Sequence, residues 1–241
     1  MDPTTLAILL AALFLGSIVS GLAGFAMGII VMSVWLHFLP PLVCAPIVVA
    51  FGLITQGYGV WKLRHAFEWR RVAPFVPGTL AGVPLGAWLL ARSNPAHLRI
   101  GIASLVIAWC LWSLARPAVK IARGGKPADI AAGAANGMAA GLTGLIGIAI
   151  TLWCQLRGWP KDVQRTVAQP VMLLTSVVST VALGAVGAVN ADTVKLFLYG
   201  VPFAFAGTWL GLRLYGRVDE AGFRRIVLVM LLASGVSLIA R

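Results

Sequence analysis

The chain has 241 residues, 60% of them apolar and only 11% charged, with a formal net charge of +12. A soluble domain of this length could not hide so much apolar surface, so the composition describes an integral membrane protein. The bases sit in short loops between apolar runs, which makes most of them topology signals rather than a nucleic-acid footprint, and a share could draw anions to the mouths of a pore.

Eight apolar segments follow one another, at about 5–36, 42–61, 72–91, 98–115, 130–156, 164–188, 194–215 and 223–240. Most have the length at which a helix spans a bilayer, and no alternating strand pattern suggests a barrel. The start, Met1-Asp2-Pro3-Thr4-Thr5, lacks the basic region of a secretory signal, so the first apolar run is expected to be retained. The first and fifth segments are the long ones. Each carries a glycine stretch, Ser20-Gly21-Leu22-Ala23-Gly24-Phe25-Ala26-Met27-Gly28 and Ala140-Gly141-Leu142-Thr143-Gly144-Leu145-Ile146-Gly147. Glycines at this spacing cost a helix roughly 1 kcal/mol each against alanine. Within a membrane such a cost has two usual reasons: close helix packing, or a break whose backbone faces something polar. That the stretch occurs twice favours the break.

The second half repeats the first. Gly21 and Gly24 match Gly141 and Gly144 at an offset of 120, Pro46 matches Pro170 at 124, and Pro77, Gly82 and Gly86 match Pro202, Gly207 and Gly211 at 125. The drift falls in the loops, where insertions are tolerated. The expected architecture is an all-α integral membrane protein of two four-segment repeats, residues 1–115 and 130–241, joined by a basic cytoplasmic loop at 116–129. If all eight segments cross, the bases divide ten to nine between the two faces. If segments one and five are re-entrant hairpins, the halves are inverted and loops 62–71, 116–129, 157–165 and 213–225 share one face with 15 of the 19 bases. The positive-inside rule prefers the inverted arrangement, a common plan of transporters.

At a hairpin tip, short helices present free N–H groups and a partial positive charge, and glycines let a ligand approach the backbone. Two such tips meeting near the centre would bind a small anion without a buried cation; no Lys, Arg, Asp or Glu is expected deep in a segment, and Arg213 comes closest. The candidate substrate-binding residues are Ser20, Gly21, Gly24, Gly28, Gln56, Asn136, Gly141, Thr143, Gly144, Gly147 and Gln169. Ser17, Thr55, Thr175, Ser179 and Thr180 could join them, although hydroxyls of this kind readily bond their own helix backbone. Gln56, Asn136 and Gln169 are harder to satisfy that way. Gly82-x-x-x-Gly86 and Gly207-x-x-x-Gly211 read as packing faces, which could also serve a homodimer. Trp35, Trp61, Trp69, Trp153 and Trp159 fit an interfacial belt.

Cys44, Cys110 and Cys154 have no partner at metal-ligand spacing and read as buried hydrophobes. His37, His65 and His97 fall in or beside loops, and His65 near Glu68 reads as a solvated pair. No zinc-protease helix, nucleophile elbow, phosphate loop or dinucleotide fingerprint occurs, so neither an enzyme nor a cofactor nor a metal is expected.

With its first glycine stretch Gly21-x-x-Gly24-x-x-x-Gly28, the return at Gly141-x-x-Gly144-x-x-Gly147, and the Pro-x4-Gly-x3-Gly segments at Pro77 and Pro202, the chain resembles the sulfite exporter TauE/SafE family over nearly its whole length. The resemblance implies a bacterial inner-membrane permease for sulfite, sulfonates or similar small anions, with the lipid bilayer as its surroundings. An anion channel using the same site is the alternative. A non-transporting assembly factor would want a soluble domain or partner surface, and the loops are too short for either.

Overall fold

The computed structural model describes residues 2–115 and 125–214. Among them every regular element is helical: α1 (Pro3–Ala23), α2 (Met27–Trp35), α3 (Pro41–Leu63), α4 (Trp69–Val72), α5 (Phe75–Arg92), α6 (Pro95–Ala115), α7 (Gly125–Thr143), α8 (Ile148–Leu156), α9 (Lys161–Ala185) and α10 (Ala191–Leu214). The expected last segment, 223–240, and most of the loops 116–129 and 213–225 lie outside the described residues. Five described helices are long and apolar enough to cross a membrane: α1, α3, α6, α9 and α10.

The two long glycine-bearing segments each resolve into a long helix, a short irregular link and a nine-residue helix. At the first link, Gly24 turns left-handed (φ 83°) and its N–H returns to the Ser20 carbonyl at 2.7 Å. That is a glycine C-cap, which lets α1 stop. Ala26 is left-handed as well (φ 85°) and precedes α2. At the second link Gly144 (φ 72°) closes α7, with its N–H on Ala140 at 2.8 Å, and Gly147 (φ 97°) precedes α8.

Both short helices fold back along the long ones. The Trp35 indole donates to the Leu9 carbonyl at 3.0 Å, and the bare face of Gly16 lies against Met27 and Val31, so α2 runs antiparallel to α1. In the second half the Trp153 indole donates to the Asp129 carboxylate at 2.7 Å while Asn136 holds Gly147, so α8 runs antiparallel to α7. Leu9 and Asp129 stand at the same offset, 120, as Gly24 and Gly144.

Long helices pack across the two halves. Alpha-1 lies parallel to α10, with Gly21 against Thr208 and Gly211, and Gly207 against Phe14 and Ser17. Alpha-5 lies parallel to α7, with Gly78 and Gly82 on Ala134, and Gly137 on Thr79. A Cβ at Gly21 would stand 2.7 Å from the Thr208 carbonyl and one at Gly137 2.8 Å from the Thr79 carbonyl. Only glycine allows backbones this close, the small-residue packing that replaces the hydrophobic effect inside lipid. In the middle, α3 and α9 run antiparallel: Gly52 meets Ser176, Gly57 meets Leu173 and Gly59 meets Gln169. The Arg71 guanidinium lies 5.8 Å from the Trp159 ring centre, which puts loops 62–71 and 157–165 at one end of the bundle.

Alpha-7 explains why a segment can be buried without being very apolar. Its buried residues are Asp129, Gly133, Asn136, Gly137, Ala140, Gly141 and Thr143, a stripe of small and polar side chains at helical spacing. That stripe faces protein, and lipid never meets it.

Candidate functional site

The two links touch. A Cβ on Gly28, in the first turn of α2, would lie 3.2 Å from the Gly144 carbonyl and 3.7 Å from the Leu145 Cα. One on Gly147 would lie 3.5 Å from the Phe25 Cβ. Glycine is what permits this approach. The helices that start here, α2 and α8, have no side-chain cap at their N-termini, and such ends carry partial positive charge.

Beside the first link stands α9. Gln169 is 3% exposed, and Arg165, one turn earlier, is half-buried. Both reach Gly24: the place a Cβ would occupy there is 3.6 Å from Gln169 Nε2 and 3.7 Å from Arg165 Nε. One guanidinium nitrogen of Arg165 donates to the Gly21 carbonyl at 3.0 Å, satisfying an acceptor that the end of α1 leaves without an intrahelical donor. The Gln169 amide is wedged against Gly59 of α3, 2.9 Å from where its Cβ would be. Its Oε1 is buried without a hydrogen-bond partner among the described residues. A buried orphan acceptor is expensive and calls for an explanation.

Arg165, on the Gly21 carbonyl, corrects the expectation that no Lys, Arg, Asp or Glu lies deep in a segment, with Arg213 coming closest. Counting bases in loops assigned it to 157–165, yet α9 begins at Lys161 after Pro160, so Arg165 already projects from a helix. Its spacing from Gln169, four residues on a helix, is the signal that could have found it. Asp129 is a second correction, a carboxylate 7% exposed inside α7 and held by Trp153.

The other candidate residues divide by duty. Gly21 and Gly141 face neighbouring helices, α10 and α5, so their lack of a Cβ serves helix packing rather than a ligand. Ser20 is buried in the last turn of α1, and its carbonyl takes the Gly24 N–H. Asn136, fully buried, accepts the Gly147 N–H at 3.0 Å and donates to Thr175 Oγ1 at 3.1 Å, tying the second link to α9. Thr143 donates to the Ala139 carbonyl at 2.6 Å and accepts the Leu145 N–H at 3.2 Å. Thr55, Thr175 and Thr180 bond carbonyls of their own helices, while Ser17 and Ser179 are buried with no partner for their hydroxyls among the described residues. Gln56 is buried on α3 one turn before Gly59. Thus Gly24, Gly28, Gly144, Gly147 and Gln169 come together, with Arg165 added, and Asn136 and Thr143 shape the second link.

The end of the bundle that holds loops 62–71 and 157–165 is lined by arginine–tryptophan stacks. Arg157 lies 6.0 Å from the Trp153 ring centre and 5.5 Å from that of Trp159, and Arg64 lies 5.4 Å from that of Trp61. Indole faces hold such cations without neutralising them, so this end remains positive outside the site.

The sequence model of one family, described as Sulfite exporter TauE/SafE, matches residues 8–238. A curated relative from Comamonas testosteroni, named Probable inner membrane transporter protein TsaS, is 26% identical over 179 residues, covering 71% of this chain and 72% of that protein. No solved structure matches significantly.

Proposed function

The chain belongs to the sulfite exporter TauE/SafE family, and from that premise we propose that it moves sulfite, sulfonates or similar small oxyanions across the bacterial inner membrane by alternating access. Family membership makes it a membrane transporter rather than an enzyme. The relative's name and the five apolar helices agree with a multi-pass inner-membrane protein.

The observation that carries the substrate reading is the meeting of the two links at Gly28 and Gly144, beside Arg165 and Gln169. Free N–H groups, a guanidinium and an amide are the donors that oxyanions take, and charge-assisted bonds of this kind are the strong ones. The protein accordingly reads as two inverted units, 1–115 and 130–241, joined through 116–129, each opening with a re-entrant hairpin. The antiparallel α3 and α9, and the sharing of one end by Arg71 and Trp159, support that reading. One unit then rocks against the other about the paired tips and opens the site to each side in turn.

Flux of radiolabelled sulfite in proteoliposomes tests it. The expected result is saturable uptake that sulfite preloaded inside the vesicles accelerates. Uptake that rises linearly with concentration and ignores preloading would mean a channel, and no uptake of sulfite or any sulfonate would overturn the substrate reading.

A further inference from the structure

We infer that the site beside Gly24 selects oxyanions that carry a hydrogen-bond donor of their own, such as a hydroxyl- or amine-bearing sulfonate or a singly protonated oxyanion. The inference rests on the anion-transporter reading above and narrows its substrate. Two nitrogens, Arg165 Nε and Gln169 Nε2, border the bare side of Gly24, 3.7 and 3.6 Å from the point where any other residue would place its Cβ. Both nitrogens are donors, and donors gathered beside one bare glycine suit an anionic oxygen. The other end of the same amide is Gln169 Oε1, an acceptor, on a side chain 3% exposed and without a partner among the described residues.

A fully deprotonated, donor-free anion leaves that acceptor unpaired, and its bare oxygens repel it. A ligand with an O–H or N–H group satisfies both ends of the amide at once. Rejection of an analogue that lacks one donor is strong when the site has a buried group waiting for it. Position 45, which corresponds to Gln169 at the offset of 124, is alanine, and a Cβ on Gly144 would stand 3.0 Å from its Cα. The donor–acceptor pair therefore belongs to the first link alone.

The test uses two singly charged sulfonates that differ by one hydroxyl, 2-hydroxyethanesulfonate and ethanesulfonate. Each competes with radiolabelled sulfite for uptake by the full-length protein in proteoliposomes. We expect 2-hydroxyethanesulfonate to compete about tenfold more strongly, or better, and Gln169→Leu to bring that ratio close to one. Arg165→Lys should weaken both competitors and leave the ratio intact. Equal competition by the two sulfonates in the unaltered protein overturns the donor requirement while the transporter reading stands. If neither sulfonate competes and sulfite itself is not taken up, the transporter reading fails together with the inference.

Discussion

The two links share a backbone course and differ in everything attached to it. Around the first, Gly24 looks onto Arg165 and Gln169 of α9. Around the second, Gly144 looks onto Ala45 of α3, and the places of Arg165 and Gln169 are taken by Pro41 and Ala45. Conversely the second link has Asn136 gripping the Gly147 N–H from within its own hairpin, where the first half has Gly16. The hairpin latches follow the same division, with the Trp35 indole on a backbone carbonyl and the Trp153 indole on a carboxylate. Two links of similar course are thus loaded unequally: one tip holds ligand-type donors, and the other holds itself together.

That contrast can be broken first with one substitution made at both tips. Both replacements put alanine in a left-handed conformation (φ 72° and 83°), but Gly144→Ala must also force a methyl within 3.0 Å of the Ala45 backbone, whereas Gly24→Ala meets only ordinary contacts at 3.6–3.7 Å. The left-handed strain, about 1–2 kcal/mol, is common to both, so the close contact with Ala45 makes the difference. Thermal unfolding in detergent should therefore fall further for Gly144→Ala, while Gly24→Ala should lose sulfite uptake out of proportion to its stability. A common loss of both properties would erase the distinction.

Asn136→Leu comes next. It leaves the Gly147 N–H buried without an acceptor, a penalty of about 1–3 kcal/mol. The same thermal melts should show it, with the relative potency of competing sulfonates unchanged, because Asn136 is spent on the backbone and on Thr175.

The smallest effect is the most diagnostic of backbone shape. Ala26 is left-handed at φ 85°, where the second link has glycine at φ 97°. Ala26→Gly removes the Cβ strain and adds chain entropy to the unfolded state, so a net stabilisation of about 0.5–1 kcal/mol is expected. A destabilised protein would mean that Ala26 does not hold that conformation.

Much of this was legible in the sequence because glycine and proline act locally. The stretches at Gly24 and Gly144 mark where α1 and α7 stop, and the clustering of bases joined loops 62–71 and 157–165 before Arg71 was found over Trp159. Roles that depend on who faces whom were harder to read. Gly21 lies three residues from Gly24, yet Gly21 is helical and packs on α10 while Gly24 has left the helix and turns toward α9. Asn136 has the chemistry of a ligand and the position of a clamp, and only its 3.0 Å bond to Gly147 decides between them. Arg165 was hidden by arithmetic: a base in the second turn of a helix counts the same as one in a loop.

The central claim is that Arg165 serves the anion and is not merely one more base at the positive end. Sulfite counterflow in proteoliposomes, compared between Arg165→Gln and Arg157→Gln, tests it most directly. Both changes remove one positive charge from the same end of the bundle, but Arg157 stacks on Trp153 and Trp159 rather than bordering Gly24. Loss of a charge-assisted bond worth about 1.5–3 kcal/mol predicts at least about a tenfold fall in apparent sulfite affinity for Arg165→Gln and little change for Arg157→Gln. Equal effects of the two substitutions would contradict the account.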